Sequence, residues 1–289
     1  MIFAKKYFFM IAFLGTGLLG ANFTRALLRR GEKVQVWNRT AEKAKSLESE
    51  GAKAFNTVAD AVKGTDRIHL TLSDDHSVDE VLQNASPGFN PGVIIVDHTT
   101  TSAPGAAKRA SYWKEKGFHY IHAPVFMGPP NALDGTGTMM VSGDQSVIKK
   151  IEPELSKMTG KLWNLGEDPA KAAAIKLLGN LFHIGLVGVI TDMFTLAETL
   201  NVPSADLASL FEVLNPAGVA KARLKKIESK TFDQPSWELA MSRKDARLMM
   251  EQADSAGKKL MVIPPVAEKM DAWIKKGHAN DDWTILSQH

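Results

Sequence analysis

Hydrophobic and polar positions in the first half of the chain alternate regularly between two patterns. Apolar runs of strand length are separated by stretches in which apolar residues recur at helical spacing. The pattern predicts strands at residues 8–14, 33–37, 53–55, 67–72, 93–97, 118–125, 138–142 and 161–164. It predicts helices at residues 41–50, 57–62, 77–83, 104–116 and 145–158, besides one that follows the first strand directly. Because a continuous apolar run is typical of a strand covered on both faces, we expect a doubly wound parallel α/β sheet with right-handed crossovers.

A different pattern begins after Gly166. Residues 170–200 contain no proline and are apolar on nearly every side, which predicts one helix of about 30 residues, roughly 45 Å long. A helix that is apolar all round is buried, either in a domain core or against another subunit. Further helices are predicted at residues 204–214, 217–229, 237–256 and 264–276. We therefore expect a nucleotide-binding α/β domain at residues 1–166 and an all-helical domain, for substrate binding and dimerisation, at residues 167–289.

The junction after the first strand is rich in glycine. It reads Gly15-Thr-Gly17-Leu-Leu-Gly20, and the helix after it carries Phe23 and Leu27 at helical spacing. Between a strand and a helix, such glycines allow a tight turn, close approach of the backbone to a pyrophosphate, and close helix–strand packing. Free N–H groups at the helix start would hold the phosphates. The sequence thus predicts a Rossmann dinucleotide site whose loop contacts are Gly15, Thr16, Gly17, Leu18, Leu19 and Gly20.

The end of the second strand indicates which dinucleotide is bound. NAD-binding units usually carry Asp or Glu there for the ribose hydroxyls, whereas this chain reads Trp37-Asn38-Arg39-Thr40. Arg39 can hold a 2′-phosphate by charge-assisted, bidentate hydrogen bonds, and Asn38 and Thr40 can donate further ones. The alternative is a solvated arginine beside Thr40 as a helix N-cap. We predict NADP, reduced as NADPH, in preference to NAD.

Composition argues against several other functions. The 35 Lys and Arg against 32 Asp and Glu leave a net charge of +3, too small for a nucleic-acid or membrane binder. There is no cysteine, and the eight histidines lack metal-ligand spacing, so we expect no metal site. No continuous apolar run has the roughly 20 residues that span a bilayer. Lys5 and Lys6 precede the first apolar run as in a secretion signal, but cleavage would remove the first strand, so we expect a short extension and a cytoplasmic protein.

Two polar residues stand out in the long predicted helix. Lys176 and Asn180 are one turn apart on one face of a helix that is otherwise strongly apolar. A lysine there can protonate a carbonyl oxygen as hydride reaches the carbon, or accept the proton in the reverse reaction. Burial and a nearby positive charge would lower its pKa toward neutrality. Asn180 could orient the lysine or bind a substrate hydroxyl, and the alternative is a lysine that extends into solvent at the domain boundary.

The glycine loop, the Asn-Arg-Thr segment, the Lys-x-x-x-Asn pair and the order of the two domains together resemble the β-hydroxyacid dehydrogenases. These include 3-hydroxyisobutyrate dehydrogenases and glyoxylate or succinic semialdehyde reductases, and 6-phosphogluconate dehydrogenase is a more distant relative. The resemblance covers essentially the whole chain. It implies that Lys176 is the catalytic general acid/base and that Asn180 is its partner.

Three further segments match this family: residues 72–74, residues 97–104 and residues 243–245. The residues that the resemblance thereby implies at the cofactor are Leu72, Ser73, Asp74, Thr100 and Lys244. Thr100 would lie by the nicotinamide, and Lys244 would depress the pKa of Lys176 and attract an acidic substrate. Without the resemblance, Lys244 is a solvated charge. Phe232 and Trp237 match aromatic positions that are expected to close the site.

One loop departs from the family. Its substrate-anchoring segment usually reads Asp-Ala-Pro-Val-Ser-Gly-Gly, whereas this chain has His122-Ala-Pro-Val-Phe126-Met127-Gly128. Bulky apolar groups should disfavour a small hydrated carboxylate and favour a larger or less polar group. Alternatively, both side chains fold into the core and leave only their amides at the substrate. The substrate contacts implied are Thr100, Pro124, Val125, Phe126, Met127, Gly128, Lys176, Asn180 and Trp237.

The expected function is an NADP-dependent oxidoreductase that transfers a hydride between nicotinamide and a small aldehyde, keto acid or 3-hydroxy acid. The substrate is expected to be a carboxylate and the protein a homodimer. One alternative is an imine reductase, since those enzymes share this fold and often the Asn-Arg-Thr segment, although they typically lack the Lys-x-x-x-Asn pair. The other alternative is a non-catalytic module that binds NADP.

Overall fold

A computed structural model of the chain describes residues 10–289. The described residues form two compact units, one ending at Asn180 and the other running from Leu181 to His289. The division lies inside the long helix, whereas the change of sequence pattern placed the domain boundary at residues 166/167. Lys176 and Asn180 consequently belong to the first unit, together with the whole of the large sheet.

The first unit is built on a six-stranded sheet. Its strands are β1 (Met10–Leu14), β2 (Lys33–Trp37), β3 (Lys53–Ala54), β4 (Arg67–Leu70), β5 (Ile94–Asp97) and β6 (His119–His122). They are ordered β3-β2-β1-β4-β5-β6, and every adjacent pair is parallel. The strand order reverses between β1 and β4, which is where open sheets of this kind bind ligands. The predicted doubly wound fold is confirmed, and residues 8 and 9 of the predicted first strand lie outside the described residues.

The first strand shows why the sheet is covered on both faces. Ile11 and Phe13 belong to the hydrophobic cluster on one face, and Ala12 and Leu14 belong to the cluster on the other. All four side chains are fully buried. Because side chains alternate between the faces of a strand, an apolar run of this length supplies both cores at once.

Between residue 10 and the start of the long helix, seven helices accompany the strands of the first unit. They are α1 (Leu18–Arg29), α2 (Ala41–Lys45), α3 (Val58–Val62), α4 (Asp75–Ala85), α5 (Ala103–Glu115), α6 (Pro129–Asp134) and α7 (Gln145–Leu155). Two predicted helices are shorter than expected, because α2 and α7 give way to 3-10 turns at Glu48–Glu50 and Ser156–Met158. The short α6 was not predicted. It begins with Pro129, and proline suits the first turn of a helix because no N–H is needed there.

The strand predicted at residues 118–125 is in fact two strands in different sheets. β6 ends at His122, and the chain leaves the large sheet through Pro124, which has no N–H to donate. It then enters a three-stranded sheet formed by β7 (Val125–Phe126), β8 (Thr138–Val141) and β9 (Lys161–Asn164), in the order β7-β8-β9. β7 is antiparallel to β8, with Phe126 opposite Thr138. The prediction of one long strand was therefore wrong at the proline.

The long helix α8 (Lys171–Leu200) continues into the second unit. The other helices there are α9 (Ser204–Val213), α10 (Pro216–Ser229), α11 (Leu239–Ser255) and α12 (Ile263–Lys275). Side chains of α11 and α12 form the core of this unit, with Leu239, Ala267 and Met270 at its centre. Buried Asp192 of α8 accepts hydrogen bonds from the backbone N–H groups of residues 261–263 and so ties α8 to the start of α12.

Most apolar side chains in the middle of α8 are exposed. Leu181 is 69% exposed, Ile184 74% and Val187 64%. The expectation that they lie in a domain core is wrong, and the alternative of another subunit remains. By length and composition this helix could cross a membrane, because an 18-residue window of it has a mean hydropathy of 1.8. Its longest uncharged run, from Leu177 to Thr191, is still shorter than the roughly 20 residues named above. One helix of this kind is weak evidence for a membrane.

Candidate active site

Two glycines of the loop after β1 are required by packing. The φ of Gly15 is +90°, a left-handed conformation that glycine adopts without strain, and its N–H donates to the Trp37 carbonyl at 2.9 Å. A Cβ at Gly15 would clash with the backbone carbonyl of Thr71, and one at Gly20 would clash with the Gly15 carbonyl and the Thr71 hydroxyl. That hydroxyl donates to the Gly15 carbonyl at 2.8 Å. The loop is thus locked between β1, β4 and α1.

Gly17 is different because it faces open space. No atom lies within 4 Å of where its Cβ would be. Gly17 is the N-cap of α1, which has no side-chain cap and no acidic residue in its first turn. In front lies a cavity of about 330 Å³, lined by the glycine loop and by the loops after β4 and β5. The N–H groups at the start of α1, which no side chain among the described residues caps, are free donors beside this cavity, where a diphosphate would sit.

A second cavity, of about 440 Å³, lies beside the end of β2. The amide of Asn38 braces the loop there: Oδ1 accepts from the Thr16 N–H at 3.0 Å, and Nδ2 donates to the Thr40 carbonyl at 3.0 Å. Thr40 holds the N-cap position of α2, but its side chain makes no capping hydrogen bond. The N-cap position of Thr40 agrees with the alternative of a solvated Arg39 beside a helix cap, but Thr40 also lines the cavity, so the prediction that it contacts the cofactor stays a prediction.

The charges around this second cavity favour an anion. Arg39 is exposed and lines it together with Lys43, and Glu80 is an acidic residue of the same lining. Two cations against one carboxylate leave a positive balance. Lys43 was missed in the sequence, although its spacing of four residues from Arg39, at the start of the predicted helix 41–50, was a usable signal.

The loop after β4 borders both cavities. Leu72 and Ser73 line each of them, as expected of residues at the cofactor. Asp74, in contrast, is the N-cap of α4, and its carboxylate accepts from the Ser77 N–H at 2.8 Å. Its side chain therefore holds the helix start, and its predicted contact with the cofactor stays a prediction.

A buried carboxylate at the end of β5 fixes the loop that follows this strand. Asp97 accepts from the Thr99 N–H at 2.9 Å and from the Tyr120 hydroxyl at 2.6 Å. Thr99 in turn accepts from the Leu72 N–H at 2.9 Å, which joins the loops after β4 and β5. Thr100 is exposed on this braced loop and lines the smaller cavity. A ligand in this cavity could therefore reach Thr100, and its predicted position beside the nicotinamide stays a prediction.

His98 is a residue that sequence reasoning missed. It is buried, and Nδ1 hydrogen-bonds to the Ala123 carbonyl at 2.7 Å while Nε2 hydrogen-bonds to His69 Nδ1 at 2.9 Å. Because Arg67 Nε donates to His69 Nε2 at 2.8 Å, His69 carries its proton on Nδ1, and His98 must then donate from Nδ1 to Ala123. This chain of hydrogen bonds connects the loop after β5 to the loop after β6.

The predicted catalytic pair lies where α8 begins. Lys176 and Asn180 are both half-buried. The Lys176 ammonium lies over the ring of Phe126, 4.5 Å from its centroid. Desolvation by burial lowers the pKa of Lys176 below its ordinary value of 10.5. The structure thus brings Lys176 together with a residue of the predicted substrate loop.

The rest of that loop divides between core and surface. Pro124 and Val125 are buried, and the side chain of Val125 is part of the hydrophobic core. Met127 packs against the same core, and its Cγ would lie only 2.9 Å from a Cβ at Gly137. The alternative in which the side chains fold into the core therefore holds for Met127 but not for Phe126, whose ring meets Lys176.

Two predicted site residues belong to the second unit. Lys244 lies on α11, and its ammonium pairs with the Asp245 carboxylate at 2.9 Å. Trp237 packs against Trp283 with the ring centroids 5.4 Å apart. Phe232, expected to help close the site, packs against the core of this unit. The roles of Lys244 as an accessory cation and of Trp237 in closing the site stay predictions.

Comparison with known proteins decides the family. Residues 10–166, more than half of the chain, match the model of the NAD binding domain of 6-phosphogluconate dehydrogenase. The chain belongs to this family. An uncharacterized oxidoreductase of Shewanella frigidimarina (strain NCIMB 400) is 30% identical over 294 residues, covering 96% of this chain and 97% of that protein. The oxidoreductase YfjR of Bacillus subtilis (strain 168) is 24% identical over 279 residues, covering 96% and 98%.

Solved structures support the fold of this member of the 6-phosphogluconate dehydrogenase family. An imine reductase from Myxococcus stipitatus in complex with NADP⁺ superimposes with a TM-score of 0.87 at 21% identity, covering 96% of this chain and 99% of that one. At that identity the likeness concerns the fold alone. Membership of the family makes the protein an NAD(P)-binding oxidoreductase, in agreement with the Rossmann unit and the glycine loop.

Three buried histidines should make the stability of this family member depend on pH, and burial holds the pKa of one of them, His69, well below its ordinary value. Burial lowers the pKa of His98 to about 4 and that of His122 to about 4, against about 6.5 in an unfolded chain. The unfolded state therefore binds more protons between pH 6.5 and 4, and the free energy of unfolding should fall as the pH falls through that window. The slope is up to about 1.4 kcal/mol per pH unit for each histidine.

Chemical denaturation across that pH range measures the slope. His122 is the residue to replace in this test, since neither of its ring nitrogens has a hydrogen-bond partner among the described residues and no hydrogen bond is lost. His122→Leu should flatten the profile without a large loss at neutral pH. An unchanged slope in that variant would contradict the assignment of His122 as a titrating group.

Proposed function

We propose that this chain is an NADP-dependent oxidoreductase that transfers a hydride between nicotinamide and the carbonyl or carbinol carbon of a small aldehyde, keto acid or 3-hydroxy acid. The observation that carries the proposal is the half-buried Lys176 ammonium of lowered pKa, in the same unit as the dinucleotide cleft. Bound NADPH supplies the hydride. The residues of the chain hold the cofactor, position the substrate and move the proton.

Lys176 supplies the proton in this proposal. In reduction, its ammonium donates to the carbonyl oxygen as the new C–H bond forms at the carbon. In oxidation, its neutral amine accepts the hydroxyl proton as the hydride leaves. A pKa lowered by burial serves both directions, because the donor and acceptor forms of the amine then lie closer in free energy at working pH. Asn180, one turn later, can hold the same oxygen.

Turnover of a substrate panel tests the function. The purified protein should oxidise NADPH in the presence of butanal, glyoxylate or succinic semialdehyde, followed by the loss of NADPH absorbance. A cyclic imine serves as a fourth compound. Tight NADPH binding with no oxidation by any of them would contradict the proposal and favour a non-catalytic NADP-binding module.

Arg39 should decide between NADPH and NADH. It lines the second cavity with Lys43 and has no carboxylate as an immediate neighbour in the sequence. Arg39→Ala removes up to two charge-assisted hydrogen bonds to a 2′-phosphate, each worth about 1.5–3 kcal/mol. The Kd for NADPH should therefore rise by about 10–100-fold or more, whereas the Kd for NADH should not change.

Fluorescence titration with both dinucleotides measures this effect. Arg29→Ala is the matched control, because Arg29 is the last residue of α1, at the end far from the glycine loop. This variant should change neither Kd. A parent protein that binds NADH as tightly as NADPH would contradict the cofactor preference.

Imine reduction is the second candidate function, and one observation favours it. The Phe126 ring gives the site an apolar wall, which suits an uncharged cyclic imine. The protonated iminium that must accept hydride is itself a cation, however, and the Lys176 ammonium would repel it. Turnover of the cyclic imine faster than every aldehyde would favour this candidate.

We also propose a homodimer in which a second copy covers the exposed apolar face of α8. Leu181, Ile184 and Val187 are apolar and largely exposed, and contiguous apolar surface of this kind marks an interaction site. Ile184→Asp should convert the dimer to monomers in light scattering coupled to gel filtration. A monomeric parent, or a parent that needs detergent to stay in solution, would contradict the dimer. The cytoplasmic location stays a prediction.

A further inference from the structure

The aromatic ring beside the predicted catalytic lysine is the feature that the proposed reaction leaves unexplained. Phe126 lies in β7, and its ring reaches the first turns of α8. Lys176 Nζ is 4.5 Å from the ring centroid, within the distance at which an ammonium is attracted to the negative face of an aromatic ring. Because the contact attracts the ammonium to the ring, Phe126 influences where the lysine lies.

Gly179 makes the position of the ring possible. A Cβ at Gly179 would clash with the ring and lie 2.7 Å from Phe126 Cε1. Residues three apart on a helix lie on one face, so Lys176 and Gly179 form the two sides of a single contact surface for the ring. The absence of a side chain at Gly179 therefore lets the ring lie flat beneath the ammonium.

The loop that carries Phe126 offers no side chain that could bind a carboxylate. Residues 123–130 are Ala, Pro, Val, Phe, Met, Gly, Pro and Pro. The next polar residue, Asn131, already accepts from the Gly128 N–H at 2.9 Å and donates to the Thr136 hydroxyl at 2.9 Å. A carboxylate placed against the ring would lose hydration and find no hydrogen-bond partner among the side chains of this loop, which is unfavourable.

We propose that Phe126 is the specificity-determining residue of this site: it holds the Lys176 ammonium against its ring and makes the adjoining wall apolar, so that the enzyme takes uncharged aldehydes or ketones with an apolar substituent in preference to carbonyl compounds that carry a carboxylate. This inference rests on the proposed function and narrows its substrate range to the uncharged members. Lys176 remains the catalytic residue, and Phe126 acts on its position and on the choice of substrate.

A spectroscopic experiment tests the contact between ring and ammonium without any turnover. Reductive methylation with ¹³C-formaldehyde labels the lysines for NMR. The Lys176 signal is identified as the one that is absent from the spectrum of the Lys176→Arg variant. The ring current of Phe126 should shift that signal upfield, and Phe126→Leu should abolish the shift. Phe55→Leu is the matched control, because Lys53 lies 4.9 Å from the Phe55 ring centroid; it should alter only the Lys53 signal. A Lys176 signal that does not respond to Phe126→Leu would overturn the proposal.

Matched aldehydes test the substrate preference. Butanal and succinic semialdehyde have the same four-carbon chain and differ by a terminal carboxylate. The parent should show the higher kcat/KM for butanal, and Phe126→Ser should lower the ratio of the two kcat/KM values by about 10-fold or more. Phe126→Leu, which keeps an apolar side chain, should retain most of the preference, and Phe55→Leu should leave the ratio unchanged.

Gly179→Ala supplies an independent check on the packing. In the parent it should displace the ring and lower the same ratio, whereas in the Phe126→Ser background the added methyl meets no ring and should have no further effect. Equal effects in both backgrounds would contradict the packing argument. A parent that prefers succinic semialdehyde overturns the inference and leaves the proposed function intact, whereas a parent that reduces no carbonyl compound overturns both.

Discussion

Replacing Lys176 with Ala is expected to lower kcat for NADPH-dependent reduction by about 10²–10⁴-fold. The half-buried ammonium is the proposed proton donor, and water cannot replace it at the same geometry. The side chain lies on α8 beside Phe126 and does not line the cavity proposed for the diphosphate. The Kd for NADPH should therefore stay within a factor of two or so of the parent value.

The matched control for this variant is Lys171→Ala, because Lys171 is the exposed first residue of the same helix. That variant should retain the parent kcat. The pH dependence provides a second check: reduction needs the protonated amine, so kcat should fall as the pH rises through the lowered pKa of Lys176, and the oxidation rate should rise. Retention of full activity by Lys176→Ala would remove the lysine from the mechanism.

Replacing each of two glycines of the glycine loop with Ala should affect different properties: cofactor binding at Gly17 and stability at Gly20. Gly17 faces open space and has φ −71°, which alanine adopts readily. Gly17→Ala should leave the free energy of unfolding within about 0.5 kcal/mol. Its methyl group would project into the space proposed for the diphosphate, however, and steric overlap of about 1–3 kcal/mol should weaken NADPH binding by about 10–100-fold.

Gly20→Ala should instead damage the fold itself. Its Cβ would clash with the Gly15 carbonyl and the Thr71 hydroxyl and lie 3.0 Å from Phe13 Cε1. These groups belong to backbone and core and cannot move aside, so we expect a loss of about 3 kcal/mol in the free energy of unfolding. Denaturant titration and NADPH titration on both variants separate the two effects. Equal stability losses in the two variants would contradict the placement of Gly17.

Much of the fold followed from patterns that are local in the sequence. β2 and β9 were predicted to the residue because glycines and polar turn residues lie on either side of both segments. The break at Pro124 was missed because residues 118–125 are a continuous apolar pattern with one proline, and only the second sheet shows where the chain turns. The exposure of α8 could not be predicted from its composition. An apolar helix is expected to be buried, but composition does not say whether its own chain or a partner covers it.

The candidate site divides in the same way. The tight turn at Gly15 and the close packing at Gly20 were predictable, because the spacing of the three glycines is typical of a local turn between a strand and a helix. The use of Asn38 as a brace for the loop was not, because its partner Thr16 lies 22 residues away in the chain. The contact of Phe126 with Lys176 depends on how β7 and α8 meet, and a sequence without the fold has no signal for it.

A crystal structure with NADPH and a substrate-like alcohol or unreactive amide would show whether Lys176 meets the reacting oxygen. The measured quantity is the distance from Lys176 Nζ to the ligand oxygen beside nicotinamide C4. We expect hydrogen-bond contact, at about 2.6–3.2 Å, with the Phe126 ring on the other side of the ammonium. An amine that points away from the nicotinamide in the ternary complex, with another side chain at the ligand oxygen, would contradict this expectation.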